Sequence, residues 1–128
     1  MAHEYLQLKG VHKSTGYSHA AKVGNLLFIS GQVALDKSGK LVGKGDIAAQ
    51  TKQVYANLAS ILKEAGGSFA NVVKFGVFIT HHRYLEEYRA VRGTIIKEPY
   101  PTSTLLVVES LASPDWLIEI EAIADLGK

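Results

Sequence analysis

Two carboxylates stand in an otherwise apolar run near the C-terminal end of the chain, Ile118-Glu119-Ile120-Glu121-Ala122-Ile123-Ala124. β-Branched residues and strict alternation predict a strand. Period-2 geometry puts Glu119 and Glu121 on one face, roughly 7 Å apart along the strand, with Ile118 and Ile120 on the other. A glutamate on a largely buried strand must be paired, hydrogen-bonded or protonated. A carboxyl with a raised pKa can hold a water molecule and shuttle protons. Two close carboxylates also push one pKa upward, so Glu121 would support Glu119. The competing reading is a solvated residue or an ion pair at a subunit interface.

Other candidates are weaker. Ser30 follows the run Leu26–Ile29, and Gly31 would let a ligand approach the backbone; a hydroxyl satisfied by nearby backbone is the alternative. His81 and His82 are adjacent at a strand end, where side chains diverge and make a poor metal pair. His3, His12 and His19 have no ligand spacing and read as exposed loop residues. Gly43-Lys44-Gly45 lacks the remainder of a phosphate loop. Trp116 reads as a packing or interface residue.

The elements that must position these residues are contained in 128 residues, enough for a single domain over 1–128 with its own core. The formal charge of +2 is too small to indicate a nucleic-acid partner. The absence of cysteine excludes disulfides, thiolate catalysis and Cys-based zinc sites. Met1-Ala2-His3-Glu4-Tyr5 lacks the basic start and apolar run of a signal peptide. No stretch approaches the length of a membrane span. A soluble cytoplasmic protein is expected.

Strands are predicted at 4–9, 18–23, Leu26–Ala34, Val72–Thr80, Thr104–Glu109 and Leu117–Ala124. A helix of about 20 residues starts at Asp46, a good N-cap. Its Ile47, Val54, Tyr55, Leu58, Ile61 and Leu62 fall at helical spacing, and Gly66-Gly67 ends it. A second helix runs from Tyr84 to Lys97, with Leu85, Tyr88, Val91 and Ile95 on one side and Pro99 and Pro101 beyond it. The order β-β-β-α-β-α-β-β predicts a two-layer α+β fold, a six-stranded sheet with both helices on one face. The strands carry apolar residues on both sides, so a second copy of the chain is expected to cover the open face.

Ser30-Gly31-Gln32, Glu119-Ile120-Glu121-Ala122-Ile123-Ala124 and, more weakly, Gly16-Tyr17-Ser18 together resemble the Rid family, also called YjgF or reactive intermediate deaminases. The resemblance implies a chorismate-mutase-like fold with a mixed sheet, and a homotrimer with clefts between subunits. It also implies hydrolysis of reactive enamines or imines to a carbonyl compound and ammonia, without metal or organic cofactor. A 2-aminomuconate-type substrate is one instance within the family. Glu119 matches the family's proton-shuttling glutamate, Ser30 and Gly31 a substrate contact, and Tyr17 a cleft tyrosine.

Two departures stand out. The deaminating members place an arginine after the proline of the next-to-last strand, where it clamps the substrate carboxylate; aligned on Pro101, that position holds Ser103. Serine cannot replace a bidentate guanidinium, and such a loss removes ~1.5–3 kcal/mol of binding. A cleft asparagine of the second helix is here Arg89, with Arg92 one turn further. The resemblance with these departures implies that Arg89 relocates the anion anchor, while Ser103 and Thr104 offer hydroxyls and a backbone N–H. The alternative is a trimeric member that binds a metabolite or protein without turnover. Nuclease activity ranks third, since no metal site or stacking platform is apparent.

Overall fold

The computed structural model describes residues 3–127. Six strands are present: β1 (Glu4–Tyr5), β2 (Ala20–Val23), β3 (Leu26–Gln32), β4 (Val72–Ile79), β5 (Thr102–Val107) and β6 (Ile118–Asp125). The two α-helices are α1 (Ile47–Glu64) and α2 (Leu85–Ile95). They form one mixed sheet in the order β1-β2-β3-β6-β4-β5. Only β4 and β5 pair in parallel. The β-β-β-α-β-α-β-β order and the two-layer α+β architecture are as the sequence patterns imply.

Local chemistry sets the elements. The side chain of Asp46 accepts the Ala49 N–H at 3.1 Å and caps α1. Gly66, at φ +92°, lets the chain turn away, and Gly67 N–H donates to Leu62 O. β2 and β3 form a hairpin across Gly24-Asn25, where Gly24 takes φ +60°.

Some boundaries differ from the sequence pattern. β1 stops at Tyr5 instead of reaching residue 9. Leu6 N–H still donates to Ala20 O, but Lys9 and Gly10 N–H groups instead donate to the Glu64 carboxylate at the end of α1. A side chain therefore captures donors that a longer strand would use. β3 ends at Gln32, where its register to β6 is irregular; Asn57 Nδ2 on α1 takes the Val33 and Leu35 carbonyls. β5 starts two residues earlier than expected, which brings Ser103 into the strand.

The core lies between the helices and one sheet face. Leu27, Ile29, Val77, Ile79, Ile118 and Ile120 are buried there against Val54, Leu58, Ile61 and Leu62 of α1. Each such side chain contributes about 1.5–3 kcal/mol. Tyr55 and Tyr88 share a buried hydroxyl hydrogen bond of 3.1 Å that links the two helices. The opposite face carries Leu26, Phe28 and Leu106, all 40–50% exposed in the single chain. No helix among the described residues is long and apolar enough to cross a membrane.

Candidate functional site

β6 is central, between β3 and β4, and it presents Glu119 and Glu121 on the open face. Each carboxylate lies over a glycine of a flanking strand. A Cβ at Gly31 would overlap the Glu119 carboxylate, and one at Gly76 would lie 2.8 Å from Glu121 Oε2. Neither glycine has a positive φ; both supply space. Sequence reading missed Gly76, although a glycine inside the apolar strand Val72–Ile79 was a usable signal.

A cleft of about 350 Å³ opens beside Glu119, lined by His12, Tyr17, Ser30, Gly31, Trp116 and Glu119 among others. The structure thus brings Tyr17, Ser30, Gly31 and Glu119 together from three separate stretches of chain. Burial raises the Glu119 pKa above the usual carboxyl range, and the charge of Glu121 adds to the effect. Burial also raises the Tyr17 pKa, with Glu119 contributing in the same direction. Ser30 donates its hydroxyl to Ser18 O at 2.6 Å, and its N–H to His19 O at 2.8 Å. Ser30 therefore staples the Tyr17 loop to β3, leaving its hydroxyl oxygen free to accept from a ligand.

The remaining sequence candidates lie elsewhere on the chain. Ser103 pairs with the buried Phe75 and shares its helix-side face. It borders a groove of about 240 Å³ with Tyr88, Arg92 and Tyr100. Thr104 pairs with Gly76 and takes the open face. Arg89 is exposed on α2. The arginine beside Ser103 is Arg92, whose guanidinium lies 5.8 Å from the Tyr88 ring centroid. Alternation along β5 separates Ser103 from Thr104, whereas Arg89 and Arg92, three residues apart on α2, lie on neighbouring parts of one helix surface.

Two histidines are corrected. His19 is 4% exposed and His12 is half-buried beside the cleft, so neither is an exposed loop residue. The local pattern is polar, but β3 covers the loop through Ser30 and Gln32. Gln50 is fully buried on α1. Its amide donates to Gly43 O and Asp115 O, and its carbonyl accepts from Leu117 N–H at 2.9 Å, tying the entry of β6 to α1. Its place on the buried stripe of α1, three residues after Ile47 and four before Val54, was the signal. Trp116 lines the cleft. No group of metal-holding side chains is present among the described residues.

Comparison with known proteins places this geometry in a class. The family model described as endoribonuclease L-PSP matches residues 9–126. A RutC family protein of Pyrococcus abyssi is 38% identical over 125 residues, covering 97% of this chain and 98% of the relative. The human 2-iminobutanoate/2-iminopropanoate deaminase is 33% identical over 111 residues, covering 87% of this chain and 80% of that protein. The crystal structure of RidA from a Psychrobacter species superposes with a TM-score of 0.89 at 33% identity, covering 95% of this chain and 98% of that one. The chain belongs to the endoribonuclease L-PSP family, which is the Rid (YjgF) family.

Proposed function

We propose that the Glu119 cleft hydrolyses a reactive enamine or imine to a carbonyl compound and ammonia, without cofactor. One observation carries this reading: a half-buried carboxyl whose pKa is raised by burial and by Glu121 faces a cleft with a tyrosine hydroxyl and a serine. Glu119 in its acid form protonates the enamine carbon, giving an iminium. The resulting carboxylate takes a proton from water as the water oxygen bonds to the iminium carbon. That proton then goes to nitrogen, and as the C–N bond breaks the Glu119 carboxylate takes the hydroxyl proton, so ammonia leaves, the carbonyl forms and Glu119 returns to its acid form. The name of the human relative, 2-iminobutanoate/2-iminopropanoate deaminase, supports the same substrate class.

The reading includes a homotrimer in which the uncovered sheet face is buried, with clefts between subunits that draw on Ser103 and Thr104. Arg89 and Arg92 are then the two α2 guanidiniums available to a substrate carboxylate. Replacing the anchoring one by Ala should raise KM about 10- to 100-fold, and equal, unchanged KM values for both variants would sink the anchor on α2. The test of the main reading is ammonia release from 2-iminobutanoate generated in situ, which Glu119→Gln should abolish. The serine at position 103 favours the second reading, a trimer that binds a metabolite or protein without turnover. Thermal stabilisation by a small carboxylic acid with no ammonia release from imines would establish it.

A further inference from the structure

A chain of side chains runs from β3 to the loop that carries Tyr17. Gln32 is fully buried, and its Nε2 lies 3.0 Å from His19 Nδ1 and 3.2 Å from Ser30 O. An amide nitrogen only donates. His19 Nδ1 is therefore the acceptor, and the His19 proton sits on Nε2, where it donates to His12 O at 2.7 Å. The two imidazoles also meet edge to face at 4.8 Å. His19 is held in one tautomer, and it fixes the backbone of His12.

The His12 ring continues the chain. Its Nε2 is 3.4 Å from Tyr17 Oη, and its Nδ1 is buried with no hydrogen-bond partner in the protein. A buried orphan N–H is rarer than a buried orphan acceptor. The proton therefore belongs on Nε2, donating to the tyrosine oxygen. Burial, helped by the neighbouring His19, lowers the His12 pKa, which favours the neutral ring. The Tyr17 oxygen then accepts from His12, and its own O–H is free for the cleft it shares with Glu119.

We infer that His12 is a positioning residue of this site: by donating to Tyr17 Oη it commits the tyrosine O–H to the ligand, as a hydrogen-bond donor to the nitrogen or carbonyl oxygen at the reacting carbon. The inference rests on the deaminase reading of the cleft. The same logic gives Ser30-Gly31-Gln32 a physical meaning. Ser30 and Gln32 hold the Tyr17 loop from two sides, and Gly31 makes room for Glu119.

The test is a double-mutant cycle on ammonia release from 2-iminobutanoate. His12→Ala should lower kcat about 10-fold with KM little changed. His12→Gln, whose amide reaches the Nε2 position, should recover most of that loss. His12→Asn, similar in polarity but reaching only the Nδ1 position, should behave like His12→Ala. The double variant with Tyr17→Phe should be no slower than Tyr17→Phe alone. Additive losses, or a Gln variant no better than Asn, would overturn the role of His12. If the wild type releases no ammonia, the deaminase reading fails and the cycle is measured on binding instead. Trp116, the sole tryptophan, lines the cleft and reports binding of 2-oxobutanoate by fluorescence. Non-additive Kd changes there support the role of His12, and additive ones overturn it.

Discussion

The two faces of the sheet treat polar groups in opposite ways. On the helix side, the Tyr55 and Tyr88 hydroxyls bond to each other, Thr51 donates to Ile47 O, and Asn57 and Gln50 bridge backbone groups. On the cleft side, His12 Nδ1 is buried without a partner, and Glu119 is half-buried beside Glu121. Satisfied networks rigidify a core, whereas unsatisfied groups are tolerated where function needs them. The difference teaches that the helix face is built for stability and the cleft face for chemistry.

Substitutions can break that contrast, and the largest effect belongs to Glu119. Glu119→Gln should reduce ammonia release about 10²- to 10⁴-fold while the melting temperature is maintained or raised; retention of wild-type turnover would remove Glu119 from the mechanism. Next comes Gly31→Ala, which should cost about 10²-fold in kcat by displacing the Glu119 carboxylate. The backbone at Gly31 has no positive φ, so the loss should come from the overlap with Glu119 and not from backbone strain. Gly76→Ala displaces Glu121 instead and should cost far less activity, and a loss as large as that of Gly31→Ala would make Glu121 an equal partner.

On the helix side the effects should appear in stability alone. Tyr55→Phe leaves the Tyr88 hydroxyl unpaired in the core and should cost ~1–3 kcal/mol in denaturant unfolding, with kcat unchanged. The smallest effect is a pH dependence. The folded-state pKa of Glu119 is raised, so the folded protein binds this proton more tightly than the unfolded chain. Its contribution to stability is complete below the unfolded value and is lost as pH rises through the folded one. Glu119→Gln should therefore be more stable than wild type above the raised folded value, with the gap narrowing as pH falls through that value and closed below 4.5, the ordinary value for this group. A gap that stays constant with pH would show that Glu119 is not desolvated.

Much of the fold was legible. The α1 stripe Ile47, Val54, Tyr55, Leu58, Ile61 and Leu62 is buried as its spacing predicts, and Asp46 caps the helix. Hydrophobic periodicity is a local property, written within a few turns of chain. The pairing of Glu119 and Glu121 on one face follows from the same period. The strand boundaries at residues 9 and 104 were less legible, because a distant carboxylate and a parallel neighbour decide them. His12 and His19 could not be read at all, since their burial depends on β3 lying across the loop.

Sequence alone settles the element order, the apolar faces and the two carboxylates on one side of the last strand, because each needs only neighbours in the chain. Tertiary structure decides that β6 inserts between β3 and β4, so that Gly31 and Gly76 come to lie beneath those carboxylates. It also decides that Tyr17 meets Glu119 while Ser103 turns to Arg92. These juxtapositions are set by strand order, register and helix packing, which no local pattern encodes.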